Sequence, residues 1–246
     1  GGVFVTATGA PYITNDAQAH WMWKRAPSYF EAVNFVGNSV QGRNVNHNLG
    51  VAPDMMWVKN RDASTGDWRV YVSGITQLSV YGSDPSNFGN NPSTLILNAT
   101  DTPNFNTGSI WDNTHPTATT FRVGDTFSVN GSGNEIIAYL FSSLAGISKV
   151  GSYTGDGTVG QTIDCGFTSG ARFILIKRTD AGGNWFVWDT VRGIITGNDP
   201  YVRLNRDFAE TSTQDDVDPQ SSGFIVNQGG NNMNASGGTY IFYAIA

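Results

Sequence analysis

The stretch MWVKNRD at Met56–Asp62 returns later in the chain as ILIKRTD at Ile174–Asp180. Each is an apolar run that passes a lysine and ends on an aspartate, a pattern typical of a β-strand followed by its loop. Further short runs recur around these two stretches in a fixed order, which predicts two copies of one structural unit. The other matched runs are FVGN (35–38) with YTGD (153–156), WRVY (68–71) with WFVW (185–188), Leu97-Asn98 with Leu204-Asn205, FRV (121–123) with FIV (224–226), and IIAYLF (136–141) with YIFYAI (240–245).

The repeat sets the expected domain boundaries. Residues 30–146 form the first copy and residues 147–246 the second, while residues 1–29 form an N-terminal segment or a link to a missing upstream region. Strand-like runs bounded by turn residues about every eight to twelve positions predict an all-β fold. We expect two tandem, related antiparallel β-sandwich lobes of a jelly-roll-like kind. The joint between the copies is short, so we expect the lobes to touch.

Two shorter segments carry local predictions. An Asn15-Asp16 cap signal before alternating alanines and aromatics predicts a helix over Thr14–Arg25. The run Phe127–Asn130 alternates apolar and polar residues and predicts a strand.

Paired positions in the two copies carry further expectations. Lys59 and Lys177 each end an apolar run, so we expect their ammonium groups to reach solvent while their stems pack on the tryptophan of the next strand. Cys165 is the only cysteine and cannot form an internal disulfide, which favours a buried structural thiol. It aligns with His47 of the first copy, which predicts a shared packing position.

Composition excludes several classes of function. Charged residues make up 14% of the chain and its net charge is −6, so non-specific nucleic-acid binding is not expected. No apolar run approaches the about 20 residues that a membrane-spanning helix needs, so we expect no membrane insertion. The chain begins with glycine rather than methionine, which favours a mature product or a fragment of a longer protein.

The residues that usually carry catalysis or bind metals form no recognisable motif. His20, His47 and His115 lack metal-ligand spacing. The run Asp215-Asp216-Val217-Asp218 offers carboxylates for a cation but lacks the spacing of a calcium loop, so a solvated loop is favoured. The sequence identifies no facing carboxylate pair of the kind a glycosidase needs, although its many aspartates leave such a pair open. We therefore predict a non-enzymatic protein with no catalytic residues, metal or cofactor.

The clearest difference between the copies is a longer loop in copy one, Gly74–Thr94. Long loops in compact domains are usually functional or disordered. An aromatic ring beside amides can pack on the C–H faces of a sugar while the amides bind its hydroxyls, and the same mixture suits protein contact. The rings can equally pin the loop to its own sandwich. The predicted ligand-binding residues are Tyr81, Asp84, Asn87, Phe88, Asn90 and, from a second longer segment, Trp111.

Several stretches resemble a segment that recurs in tail-fibre-like virion proteins of marine phages. They are Gly2–Tyr12, Ala19–Pro27, Asn46–Lys59, Lys149–Gly155 and Tyr240–Ala246. The resemblance implies a location in the virion, on the tail or particle surface, with other virion proteins as partners and a homotrimeric assembly. It implies adhesion to a host-surface glycan or protein. The alternatives are a purely structural virion component, such as a decoration or fibre segment, and a polysaccharide-degrading tailspike.

Overall fold

The computed structural model describes residues 3–4, for which the backbone alone is described, and residues 20–64, 66–75, 91–230 and 232–246. The fold is all-β and its sheets are antiparallel, which confirms the predicted class. The N-terminal segment and the first copy contain β1 (Val3–Phe4), β2 (Trp21–Met22), β3 (Phe30–Val36), β4 (Arg43–Asn46), β5 (Met55–Asn60), β6 (Arg69–Val72), β7 (Leu95–Ile96), β8 (Thr120–Val123) and β9 (Glu135–Phe141), with short helices α1 (Gly108–Trp111) and α2 (Phe127–Asn130). The second copy contains β10 (Ser148–Thr154), β11 (Gln161–Asp164), β12 (Phe173–Arg178), β13 (Trp185–Asp189), β14 (Val202–Arg203), β15 (Val217–Gln220), β16 (Gly223–Val226) and β17 (Thr239–Ile245).

Each copy, which we call unit one and unit two, pairs a large sheet with a small one. The large sheets have the strand orders β3-β9-β5-β6-β7 and β10-β17-β12-β13-β14. The small sheet of unit one is β4-β8, and that of unit two is β11-β16-β15. A buried cluster fills the space between the large and small sheet of each unit, so each unit is a sandwich.

A third buried cluster lies between the two units and joins their large sheets face to face. Residues of β5 alternate between the two clusters, with Met55 and Trp57 in the inter-unit cluster and Met56 and Val58 inside unit one. Both faces of the large sheets are therefore covered, which explains why β5 and β12 are almost continuously apolar instead of alternating with polar residues. The contact between the lobes that the short joint predicts is confirmed.

The strand registers show that the repeat is structural. Lys177 pairs with Trp185 between β12 and β13, and β5 and β6 share the register that places Lys59 opposite Trp68. Trp57 and Leu175 lie opposite Tyr139 and Tyr243 of the closing strands. The turns correspond as well, because both tryptophan backbone N–H groups donate to an asparagine Oδ1 at 2.9 Å, Asn98 in unit one and Asn205 in unit two.

Two local predictions were wrong. Trp21–Met22 of the expected Thr14–Arg25 helix is a strand paired with β1, because Trp21 and Trp23 pack on the inter-unit core while Met22 between them is exposed; residues 14–19 lie outside the described part. Phe127–Asn130 is a helical turn instead of a strand. Its buried Asn130 Nδ2 donates to the carbonyls of Gly124 and Val40, an arrangement that a sheet ladder would not supply.

The predictions for Lys177 and Cys165 had different outcomes. Lys177 is fully buried, because unit one covers it, and its Nζ donates to the carbonyl oxygens of Thr100 at 3.3 Å and Arg178 at 2.7 Å. The expectation that it reaches solvent was wrong, and burial lowers its pKa to about 8. Cys165 is a buried free thiol, as predicted, and shares its backbone position at the end of a small-sheet strand with the buried His47.

Candidate functional site

The candidate site is a cleft of about 320 Å³ at one edge of the seam between the units. This volume lies at the lower end of the range of about 300–1,000 Å³ typical of small-molecule sites. Side chains from the N-terminal segment, unit one and unit two all contribute to it. The lining residues are Trp21, Trp23, Trp57, Trp68, Leu97, Asn98, Tyr139, Phe173, Val187 and Leu204.

The N-terminal segment supplies one wall of the cleft. Trp23 packs edge-on against Trp57 and Phe141 of unit one and Phe173 of unit two, at centroid distances of 6.3, 5.7 and 5.9 Å. Trp21 packs edge-on against the same Phe173 at 6.2 Å. Edge-to-face contacts of this kind are favourable beyond the area they bury, so the wall is held by rings from both units.

Trp68 forms a partly exposed aromatic surface of the site. Its ring is stacked on Tyr139 with the centroids 5.9 Å apart and the planes only 16° from parallel, and both rings remain partly exposed. Its backbone N–H donates to Asn98 Oδ1, and Asn98 Nδ2 donates to Asp67 Oδ1 at 3.3 Å. The β6–β7 region thereby holds a flat ring beside a side-chain amide.

Trp57 lies deeper in the cleft. It is 7% exposed and packs on Phe141 with the ring centroids 4.8 Å apart. Its Nε1 has no hydrogen-bond partner among the described residues. Because this N–H is buried, Trp57 contributes the surface of its ring to the cleft and not a hydrogen-bond donor.

The tryptophan of unit two that is equivalent to Trp68 does not line the cleft. Trp185 is fully buried and its Nε1 donates to the carbonyl of Ile96 in unit one at 2.9 Å. One position of the repeat therefore supplies an aromatic surface in unit one and a plug between the units in unit two.

The chemistry of the cleft is aromatic and uncharged. Its described lining consists of aromatic and aliphatic side chains with one amide, Asn98. Exposed ring faces attract the apolar C–H faces of a sugar, and an amide can donate to or accept from hydroxyls. The arrangement is suited to binding an uncharged, partly apolar ring.

The residues predicted to bind a ligand are not the ones gathered here. Tyr81, Asp84, Asn87, Phe88 and Asn90 lie outside the described residues. Trp111 is described, and it is 1% exposed in the core of unit one, with its Nε1 donating to the carbonyl of Ser93 at 3.1 Å. Its ring offers no face to a ligand, so the role proposed for it from sequence does not fit its position.

Sequence reasoning missed the cleft although signals for it were present. The run Trp21-Met22-Trp23 alternates two large rings with one exposed side chain, which favours a strand presenting both rings to one side. Trp57 stands where the second copy has Leu175, so the copies differ by an added ring at an otherwise matched position. The sequence does not show that the Trp21–Trp23 run and Trp57 lie in one cleft, because the packing of one unit on the other brings them together.

A separate acidic cluster lies in unit two. Asp199 and Asp216 are buried, and Asp199 accepts the backbone N–H groups of Ile195 at 2.9 Å and Val217 at 3.2 Å. Burial, with the nearby aspartates, raises the pKa of both carboxyls to about 6. The solvated loop predicted for this run was therefore wrong, because Asp216 is buried and Val217 and Asp218 begin β15.

The two positions of unit one that are equivalent to Asp216 and Asp199 hold apolar residues, and the acidic pair does not line the cleft. The carbonyl of Asp216 accepts the backbone N–H of Asn227, and the carbonyl of Ile110 accepts the equivalent N–H of Gly124 in unit one. Pro92 occupies the position in unit one that Asp199 occupies in unit two. Within the described ranges, no three His, Cys, Asp or Glu side chains are grouped so that they could hold a metal ion. Likewise, none of the described helices is long and apolar enough to cross a membrane.

The chain belongs to the DUF7483 family, described as a domain of unknown function, whose model matches residues 24–246. No curated protein and no solved structure matches the chain. The family match spans both units but begins after Trp21 and Trp23, so part of the cleft wall precedes the matched range.

Proposed function

We propose that this protein is a non-catalytic adhesion domain of a phage particle that binds an uncharged host-surface glycan in the cleft between its two units. The observation that carries the proposal is the convergence of four tryptophans with Tyr139 on one partly open cleft. Aromatic faces are the main means by which proteins hold the apolar side of a sugar ring. Asn98 supplies a directional polar contact at the same edge.

Partial exposure distinguishes these rings from ordinary core residues. Trp68 and Tyr139 stack on each other yet keep part of their surface open, whereas Trp185 and Tyr243 at the matching positions of unit two are fully buried. A ring that the fold can bury in one copy but leaves open in the other is a candidate contact residue. Rigid, partly exposed aromatics are also the residues that dominate binding energy at interfaces.

The virion setting rests on the resemblance of five stretches to tail-fibre-like proteins of marine phages. Other virion proteins and a homotrimeric assembly are part of the proposal on the same basis. Light scattering of the purified chain tests the trimer, and immunogold labelling of phage particles tests the location. A stable monomer with unlabelled particles would contradict this part of the proposal while leaving glycan binding open to its own test.

A purely structural role in the particle is the second candidate. Large apolar side chains are exposed away from the cleft, among them Phe127 (58%) in unit one and Phe208 (61%) in unit two. Such side chains can pack against neighbouring virion proteins. The polysaccharide-degrading alternative has less support, because the described lining of the cleft contains no carboxylate and a glycosidase uses two.

A glycan array followed by calorimetric titration tests the proposal. We expect binding to uncharged glycans, and Trp68→Ala should weaken it by about thirtyfold, the loss of about 2 kcal/mol that marks a dominant contact residue. Phe208→Ala is the matched control, because it removes an exposed ring that does not line the cleft. No binding across the array, or equal losses in both variants, would contradict the proposed site. Release of reducing ends from a bound polysaccharide would instead support the tailspike alternative.

A further inference from the structure

Trp21 lies upstream of the range that the family model matches, yet it forms part of the cleft wall. It is joined to the rest of the protein by a side-chain hydrogen bond from its Nε1 to Asp189 Oδ2 of unit two, at 3.1 Å. The residues that hold this ring therefore lie more than half the chain away from it in sequence.

Asp189 is the centre of a compact polar network. The side chain is buried, and its Oδ1 accepts the backbone N–H groups of Val191 and Arg192, each at 3.0 Å. The guanidinium of Arg192 lies 2.6 Å from Asp189 Oδ2 and 3.5 Å from Glu210. A buried carboxylate is stable only when charge-assisted partners surround it, and this one has them.

The same network fixes the plane of the indole. The guanidinium of Arg192 lies over the Trp21 ring, 5.1 Å from its centroid, while Phe173 meets the ring edge-on with an interplanar angle of 78°. A cation on the ring face, an edge-on ring and a hydrogen bond at Nε1 together define one orientation of Trp21. The wall of the cleft is thus preorganised before any ligand arrives, which lowers the entropic cost of binding.

The repeat shows that the fold does not require this carboxylate. In β6 the residue that pairs with Met55 is Val72, and in β13 the residue that pairs with the equivalent Phe173 is Asp189. Val72 is buried in the inter-unit core and performs the packing role with an apolar side chain. The acid at this position of unit two instead accepts the backbone N–H groups of the turn after β13 with one oxygen and the indole N–H of Trp21 with the other.

We infer that Asp189 and Arg192 are positioning residues of the cleft, and that they hold Trp21 as the wall against which an uncharged saccharide ring packs. The ligand part of this inference rests on the proposed function. Trp21 is then part of the binding site, although the matched family domain, which begins at residue 24, does not include it.

The positioning can be tested without a ligand by following the indole N–H signals of the full chain in ¹H–¹⁵N spectra. Trp21→Phe identifies the Trp21 signal by its loss. Asp189→Asn should shift this signal and speed its exchange with solvent, because the charged acceptor is removed. Asp180→Asn is the matched control, since Asp180 also pairs with an arginine and a backbone N–H in unit two but is bonded away from the cleft.

Binding is then measured by calorimetry with maltohexaose and triacetylchitotriose as uncharged probes. Asp189→Asn and Trp21→Phe should each weaken binding about tenfold, the effect of losing one charge-assisted hydrogen bond, while Asp180→Asn leaves it unchanged. Thermal unfolding confirms that each variant is folded. If Asp189→Asn does not fold, the affinity of Trp21→Phe alone tests the role of the ring.

The outcomes separate the two ideas. An unchanged Trp21 signal in Asp189→Asn overturns the positioning role whether or not a saccharide binds. A shifted signal with unchanged affinity overturns the role of Trp21 as a wall. If neither probe binds the unaltered chain, the result counts against the proposed function, and the indole signal alone decides whether Asp189 positions Trp21.

Discussion

Trp68 and Trp185 occupy the same place in the two units and are used in opposite ways. Each follows the turn after the matched lysine strand, and each donates its backbone N–H to an asparagine Oδ1. Trp185 is fully buried and donates its indole N–H across the seam to Ile96, whereas Trp68 stays partly exposed and lines the cleft. The local structure of the repeat therefore does not decide the role of its tryptophan.

The surroundings of the two rings explain the difference. Tyr139 beside Trp68 is partly open, while the matching Tyr243 is fully buried under Phe141 and Phe173. At the cleft, Trp21 packs on Phe173 of unit two, and Trp23 packs on Trp57 of unit one as well as on Phe173. Equivalent positions of the two units can thus differ in exposure because their neighbours differ, although the units share the same large-sheet strands.

The largest expected effect on stability comes from replacing Trp185. Trp185→Ala should lower the free energy of unfolding by about 3–5 kcal/mol, because it opens a cavity in the inter-unit core and removes the hydrogen bond from the indole N–H to the Ile96 carbonyl. Trp68→Ala should cost much less, since its ring is already partly solvated. Urea unfolding of both variants measures the difference. Equal losses would mean that the two tryptophans are both structural and that the contrast between them has no functional meaning.

A second prediction tests whether the units are equivalent where their turns are matched. A Cβ on Gly37 would lie 2.1 Å from the carbonyl oxygen of Gly131, and one on Gly155 would lie 2.3 Å from that of Ala235. Both contacts are with backbone, so the chain must move, and overpacking of this kind costs about 1–3 kcal/mol. Gly37→Ala and Gly155→Ala should therefore destabilise the protein by similar amounts. Gly230→Ala is a control for the change of residue alone, because its φ is not positive either and the nearest atom to its Cβ is Gln228 Oε1 at 3.7 Å.

A clear difference in stability between Gly37→Ala and Gly155→Ala would show that the two units are not equivalent at this turn. Since both glycines approach backbone oxygens at equivalent turns, unequal costs would show that one unit yields more readily than the other. Differential scanning calorimetry would then be expected to resolve two transitions instead of one.

The sequence predicted the repeated parts of the fold well. Matched runs such as Glu135–Phe141 and Thr239–Ile245 form the closing strands, because strongly apolar stretches of seven residues can be accommodated only in the centre of a covered sheet. Errors occurred where tertiary packing overrides a local pattern. Asn130 satisfies its buried amide in a helical turn, and Lys177 is buried because the other unit covers it.

The candidate site was much less accessible to sequence reasoning. Its residues come from three separate segments, and Trp21 and Trp57 become neighbours of one cleft only after the large sheets pack together. The loop-based prediction followed the rule that function collects where a copy gains residues. Among the described residues that rule led to Trp111, a core residue, while the cleft is built largely from positions that both copies share.

The third prediction concerns the buried acidic pair of unit two. Asp199 and Asp216 have ordinary pKa values of 3.8 when unfolded and about 6 when folded, so the folded state binds more protons between these values. Stability is therefore highest below about pH 4 with respect to this pair and falls as the pH rises from about 4 through 6. Asp216→Asn should flatten this dependence. Unfolding in urea at pH 4, 5, 6 and 7 measures it.

Addition of calcium tests whether a cation can replace the protons bound by the acidic pair. If millimolar Ca²⁺ restored the stability lost at pH 7 in the unaltered chain but not in Asp216→Asn, the carboxylates would be neutralised by a cation instead of by protons. A pH profile that Asp216→Asn leaves unchanged would show that the acidic pair does not control the stability of unit two.

The smallest expected effect concerns Cys165, whose thiol can report on unit two alone. Burial raises its pKa to about 12, so at pH 8 the native thiol is protonated and shielded and should not react with a disulfide reagent. Cys165→Ala should cost only about 1 kcal/mol, as for a small apolar side chain. Labelling of the native protein then requires opening of unit two. The labelling rate should rise in Trp185→Ala, which removes the ring buried between the units, and should change little in Trp68→Ala. Rapid labelling of the unaltered chain, or equal acceleration by both variants, would contradict the view that one tryptophan holds the units together while the other faces the cleft.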